Sequence, residues 1–158
     1  MNIHALHLEE QRLLSKVYSV TGLMEEKHEQ LRQLGVFEEY GNVFQAYAQI
    51  IGTGEQGTEA LKRAVFLGWY EFATPACFTG LFDLPRETTR IVLEALEERI
   101  RADEIDFEMR WMLPYYNYII DLPFSLYPEL TGLNTFLQVS GIGQWEAGCQ
   151  RACKNVEK

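Results

Sequence analysis

The sequence predicts an all-α protein, a single-domain bundle of about six to eight helices over residues 1–158 with no significant sheet. Three observations support this prediction. Apolar residues recur at helical spacing in every long segment, no segment shows sustained polar–apolar alternation, and glycine or proline separates the periodic stretches. A chain of 158 residues can also bury a single core without a metal or disulfide.

Composition excludes several classes of function. The 23 acidic and 14 basic residues give a net charge of −9, which repels phosphate backbones and anionic lipid. The chain has three widely spread cysteines, no secretory signal and no apolar window of about 20 residues. We therefore expect a cytoplasmic protein with reduced thiols that binds neither nucleic acid nor membrane.

The first helical pattern covers about residues 5–34. Thr21-Gly22 should break it, because glycine costs about 1 kcal/mol inside a helix. The two seven-residue series in this segment are Leu6, Leu13 and Val20, and Glu10, Val17, Met24 and Leu31. Because these heptads are few and interrupted, we favour helices packed on their own domain over a coiled-coil dimer.

A second helix is predicted over 37–51 and a third over 58–73. The residues between them, Gly52 to Gly57, match the letters of the G-x-G-x-x-G dinucleotide fingerprint. That fingerprint requires a preceding strand, whereas a helix precedes it here, and Glu55 would lie where a pyrophosphate belongs. We interpret these glycines as a flexible loop between helices.

The helix over 58–73 changes character along its length. Its first half has an outward polar face of Glu59, Lys62 and Arg63. The same face then becomes aromatic at Phe66, Trp69 and Tyr70. This end therefore either enters the interior or presents an aromatic patch.

Glu71 lies away from the polar face of that helix, beside small and apolar residues. A buried carboxylate is costly unless it is paired. No Lys or Arg occurs between Val65 and Pro85, so an inward Glu71 needs an arginine, such as Arg110, or backbone donors from another segment. Asp121, if it is buried, needs a donor from another segment for the same reason, because no Lys or Arg occurs between Trp111 and Gln150.

Apolar spacing in the second half of the chain predicts four helices after a connector over 75–85. The first helix covers 85–101, a central helix covers 105–120, a short helix covers 130–139, and a final amphipathic helix follows. The final helix contains Trp145, Cys149, Ala152, Cys153 and Val156. A solvated face is predicted for the helix over 85–101, formed by Arg90, Glu94, Glu97, Glu98 and Arg101.

The central helix is apolar on two sides. Its first stripe is formed by Ile105, Met109, Met112, Tyr116 and Ile120, and its second stripe by Phe107, Trp111, Pro114 and Tyr118. Such a helix needs two packing partners, so we place it at the centre of the domain or at a subunit contact. Asp103, Glu104 and Asp106 suit its N-terminus, where carboxylates are favoured. Pro114 should kink or restart it.

No metal-binding or catalytic pattern is complete. His4 and His7, Glu25 and His28, and Cys149 and Cys153 each supply only part of a ligand set. Cys77 would need a neighbouring histidine to act as a nucleophile. We therefore expect no cofactor, no metal and no catalytic residue.

Two functional hypotheses remain. The favoured one is a non-catalytic adaptor, inhibitor or assembly factor that binds a protein partner through an aromatic surface, steered toward a basic partner by nearby carboxylates. Those carboxylates are Glu94, Glu97, Glu98, Asp103, Glu104 and Glu108. The expected binding residues are Phe66, Trp69, Tyr70, Glu71, Phe107, Trp111, Tyr115 and Tyr118. The same surface would also suit a homodimer.

The alternative hypothesis is a small-molecule site, with or without catalysis. Its pocket would be walled by Trp69, Tyr70, Trp111 and Tyr115, with Glu71 or Asp121 as the polar group.

Overall fold

The computed structural model describes residues 2–140, apart from the Glu55 side chain. Over that range it contains eight α-helices, one 3-10 turn and no strand, which confirms the all-α prediction. The helices are α1 Ile3–Ser19, α2 Met24–Gln33, α3 Val36–Ile50, α4 Gly54–Ala73, α5 Ala76–Thr79, α6 Arg86–Arg101, α7 Phe107–Ile119 and α8 Thr131–Val139. The predicted final helix, with Trp145, Cys149, Ala152, Cys153 and Val156, lies outside the described residues.

The contacts of the chain separate into two compact units, with the boundary in α6 between Leu96 and Glu97. The expectation of a single domain over residues 1–158 stays a prediction.

In the N-terminal unit, α3 packs against both α1 and α4, and the short α5 contacts α1, α2 and α4. The fully buried side chains of these helices include Leu6, Leu13, Leu31, Phe44, Tyr47 and Leu61. The predicted break at Thr21-Gly22 is confirmed, since α1 ends at Ser19 and α2 begins at Met24. Glu26 helps to start α2 by accepting the Leu23 backbone N–H at 2.8 Å.

The predicted loop over residues 52–57 is wrong from Gly54 onward, because α4 already begins there. The Gly57 N–H donates to the Thr53 carbonyl at 3.0 Å. A Cβ at position 57 would lie 2.1 Å from the Ile51 carbonyl oxygen. Glycine thus allows α4 to start in close contact with the end of α3.

In the C-terminal unit, α7 packs against α8, and the 3-10 turn Phe124–Leu126 also contacts α8. The predicted capping role of Asp106 is confirmed, since its Oδ1 accepts the Met109 N–H at 2.9 Å. The helix continues through the buried Pro114 instead of restarting after it. The buried neighbours Met109, Leu113 and Tyr116 provide packing that offsets the hydrogen bond which proline removes.

None of the helices between residues 2 and 140 combines the length and the apolar character that crossing a bilayer requires.

Candidate functional site

The two apolar stripes of α7 have different surroundings. Met109 and Tyr116 of the first stripe are buried, and Ile105 just before the helix is buried with them. The other side carries three aromatic residues that are largely in solvent, Phe107 at 84% exposed, Trp111 at 54% and Tyr118 at 65%, together with Tyr115 at 36%. We call this surface the α7 aromatic face. Pro114, which the sequence placed on the same stripe, is buried instead.

The aromatic residues of this face follow helical spacing, so their side chains project from one side of α7. The Trp111 and Tyr115 rings stack with centroids 5.9 Å apart and planes only 10° apart. Phe107, at the first position of α7, follows directly on the capping residue Asp106.

The C-terminal unit is strongly acidic around this face. From Glu97 to Ser140 the sequence contains eight carboxylates, three arginines and no lysine. One arginine, Arg110, already forms an ion pair with Asp103. No Lys or Arg occurs from Trp111 to Ser140, and Asp121 is exposed.

The aromatic residues of α4 are less accessible. Trp69 is only 7% exposed, while Phe66 and Tyr70 are half-buried and stack with centroids 5.0 Å apart. Trp69 and Tyr70 belong to the N-terminal unit, whereas Trp111 and Tyr115 belong to the C-terminal unit. The pocket that would combine these four residues stays a prediction.

Glu71 is half-buried and accepts backbone N–H groups. Its Oε1 accepts the Leu84 N–H at 2.8 Å. Burial raises the pKa of this carboxyl, and hydrogen bonds from the Leu84 and Asp83 backbone partly oppose the rise. The sequence allowed either an arginine or backbone N–H groups as the partner of Glu71, and the structure provides backbone N–H groups. Glu71 holds the segment that leads into α6.

Sequence reasoning missed a cavity of about 340 Å³ in the N-terminal unit. Its walls come from α1, α3, α4, α5 and the second residue after α5. They are His7, Glu10, Gln11, Leu14, Tyr18, Tyr40, Arg63, Phe66, Leu67, Tyr70, Phe78, Thr79 and Leu81. We call it the Glu10 cavity, because the Glu10 side chain is only 12% exposed. A signal was present in the sequence, since Glu10 occupies an otherwise apolar seven-residue series.

Arg63 connects the polar groups of this cavity. Its Nη2 lies 3.4 Å from Glu10 Oε2 and 3.2 Å from His7 Nδ1, and its Nε lies 4.0 Å from Glu59 Oε1. The sequence placed Arg63 on an outward polar face, but the structure turns it toward α1. That assignment was wrong because periodicity identifies a face without identifying the residue opposite it.

The interior side of Glu10 is incompletely satisfied. Its Oε1 and the Tyr47 hydroxyl are both buried, and among the described residues neither makes a hydrogen bond of normal length and angle. The two groups are nevertheless near enough to affect each other's pKa. Burial raises the pKa of Glu10, while Arg63, His7 and Tyr47 lower it by a smaller amount.

Glu97 was predicted on a solvated face, yet it is only 7% exposed. The residue preceding α8, Leu130, has no capping side chain, and Glu97 performs this role from α6. Its Oε1 accepts the Gly132 N–H at 2.9 Å and its Oε2 accepts the Leu133 N–H at 2.5 Å. Although burial raises the pKa of Glu97, these two N–H groups and Arg101 hold it below the ordinary value.

The partial ligand sets of the sequence do not assemble in the described part of the chain, where no group of three His, Cys, Asp or Glu could hold a metal ion. Cys77 is a buried free thiol. Comparison of the chain with protein-family models, with curated proteins and with solved structures gives no match in any of the three.

Proposed function

We propose that this protein is a non-catalytic interaction module that binds a basic protein partner through the α7 aromatic face. The observation that carries this proposal is the exposure of Phe107, Trp111 and Tyr118 on a helix whose opposite side is buried. Contiguous aromatic surface of this kind is typical of binding sites in soluble proteins.

The side chains on this face are of the type that contributes most to protein interfaces. Tryptophan and tyrosine are enriched at the energetically dominant positions of interfaces. Each has a large rigid ring, so covering it removes apolar area from water at a small cost in conformational entropy. At about 25 cal/mol per Å², covering several such rings supplies several kcal/mol.

The charge of residues 97–140 favours a basic partner over a second copy of the same chain. Besides the buried Glu97, residues 97–140 of each copy carry seven carboxylates against three arginines, so two copies would bring like charges together. Like charges at an interface are unfavourable, whereas opposite potentials accelerate and orient association. Asp103, Glu104 and Glu108 precede or begin α7 and supply negative charge near its N-terminal end.

The test is a paired substitution on α7 compared with a substitution elsewhere on the same unit. The double variant Phe107→Ala, Trp111→Ala should lose a partner that the wild-type chain captures from its native cells. Val139→Ala, which removes an exposed apolar side chain of α8, should retain it. Binding of the purified partner should also weaken as the salt concentration rises.

Two results would overturn the proposal. The first is a captured partner that binds the double variant and the wild type equally well. The second is a wild-type chain that forms a dimer in light scattering while the double variant is monomeric, because the face would then be a contact between copies of this chain.

A further inference from the structure

The Glu10 cavity combines aromatic walls with a carboxylate of low exposure. Tyr40 lies on α3, and Phe66 and Tyr70 lie on consecutive turns of α4 with their rings stacked. Tyr18 and Phe78 also line the cavity and are exposed, at 74% and 46%, so they mark its open side. A volume of about 340 Å³ is within the range of small-molecule sites.

Glu10 is only loosely paired in this cavity, where Arg63 is the lining cation and Lys27 Nζ lies at the rim, 5.4 Å from the Phe78 ring centroid. Arg63 is shared by Glu10 and Glu59, so two carboxylates compete for one guanidinium. The Arg63–Glu10 separation of 3.4 Å is long for a charge-assisted hydrogen bond, which is typically about 2.7–2.9 Å. His7 contributes an imidazole nitrogen 3.2 Å from Arg63. Glu10 therefore lacks a close cationic partner of its own, and a bound ammonium group would supply one.

We propose that the Glu10 cavity binds a small organic ammonium compound with an aromatic or alkyl body. The ammonium group donates to Glu10, and the body packs against Tyr40, Phe66 and Tyr70. Aromatic faces attract cations through their quadrupole, and this attraction strengthens where water is excluded. A negatively charged ligand is disfavoured because the nearest cation, Arg63, already serves two carboxylates.

This site is independent of the proposed protein interface, since all its lining residues belong to the N-terminal unit. Loss of partner binding by the α7 variants would leave it unchanged, and the reverse also holds. Ligand binding would thus be a second property of the same chain.

The test uses three probes of similar shape and different charge, which are 2-phenylethylamine, 2-phenylethanol and 3-phenylpropanoate. Isothermal titration calorimetry of the full chain should show saturable binding of the amine. We expect the alcohol to bind at least about ten-fold more weakly, which corresponds to about 1.4 kcal/mol, and the acid not to bind.

Two variants identify the groups responsible. Glu10→Gln keeps the shape of the side chain and removes its charge, so it should weaken amine binding by about ten-fold without affecting the alcohol. Glu25→Gln, at an exposed position of α2, is the matched control and should change neither. Phe66→Leu keeps an apolar side chain but removes the ring, so it should weaken the amine more than the alcohol.

Circular dichroism establishes that each variant is folded before titration, and the Phe66 variant tests the proposal even if Glu10→Gln does not fold. The proposal is overturned if the wild type shows no saturable binding of 2-phenylethylamine. It is also overturned if the acid binds as tightly as the amine, or if both cavity variants bind the amine like the wild type.

Discussion

In the N-terminal unit, α4 buries Trp69 and lines the Glu10 cavity with Phe66 and Tyr70, while its fourth aromatic residue, Phe72, is 39% exposed. In the C-terminal unit, α7 directs Phe107, Trp111 and Tyr118 into solvent. Both helices carry aromatic residues at helical spacing. The side chains of α4 therefore contribute to packing and to a cavity, while those of α7 form a surface.

The carboxylates of the two units differ in a similar way. Glu10 is enclosed beside a loosely placed arginine, and burial raises its pKa. Glu97 is equally enclosed, but it accepts two backbone N–H groups of α8, and these with Arg101 hold its pKa below the ordinary value. Low exposure alone therefore does not determine what a carboxylate does. Its hydrogen-bond donors decide whether its charge is stabilised.

The largest expected difference between the units is in the stability effect of tryptophan truncation. Trp69→Ala should lower the free energy of unfolding by about 3–5 kcal/mol, because it removes a buried ring and leaves a cavity. Trp111→Ala should change it by less than about 1 kcal/mol, since the ring is largely exposed. Urea denaturation followed by circular dichroism measures both values. Equal destabilisation by the two substitutions would show that the α7 aromatic face is covered within the folded chain.

The next effect concerns the two enclosed carboxylates. Glu97→Ala should destabilise the C-terminal unit by about 2–3 kcal/mol, because two N–H groups at the start of α8 lose their charged acceptor. Glu10→Gln should be nearly neutral, since it removes a charge that burial disfavours. The neighbouring exposed residue supplies the control, and Glu98→Ala should leave stability unchanged.

Hydrogen exchange localises the effect of the Glu97 substitution. The Gly132 and Leu133 amides should exchange faster in Glu97→Ala and stay protected in Glu98→Ala. Protection that persists in Glu97→Ala would mean that α8 has another cap.

Much of the helical architecture follows from sequence periodicity. Most errors in the sequence-based predictions concern residues whose role depends on a contact with a distant part of the chain. The helix boundaries of α1, α2 and α3 are marked by glycine and by apolar spacing, both of which are local signals. Glu97 was assigned to solvent because its own helix places it among charged residues, whereas α8, more than thirty residues later, supplies its donors.

The candidate sites show the same limit. The spacing of Phe107, Trp111, Tyr115 and Tyr118 already predicts a shared face, but only the fold separates their exposure from the burial of Trp69. Glu10 and Arg63 are 53 positions apart in the sequence. No local pattern joins them, although a glutamate in an apolar heptad series indicates a carboxylate that needs a partner.

The smallest expected effect is an opposite pH dependence of stability in the two units. The folded pKa of Glu97 is lowered, so its contribution is complete above the ordinary glutamate pKa of 4.5 and is lost as the pH falls through the lower folded value. The folded pKa of Glu10 is raised, so its charge destabilises the N-terminal unit as the pH rises from 4.5 toward the higher folded value. The groups that face Glu10, which are Arg63, His7, Tyr47 and Glu59, stay the same in Glu10→Gln.

Amide exchange measured on both sides of pH 4.5, and corrected for the intrinsic rate, resolves the two units separately. Glu39 also has a shifted pKa: burial raises it, and Lys16 and Arg12 lower it by more. Subtracting the pH profile of amide exchange of Glu10→Gln from that of the wild type removes the Glu39 contribution and leaves that of Glu10. We expect α1 protection to fall above pH 4.5 in the wild type relative to the variant, and α8 protection to fall below it in both. If α1 protection instead rises with pH relative to the variant, the Arg63 ion pair stabilises Glu10 fully, and the cavity has no uncompensated charge to offer an ammonium ligand.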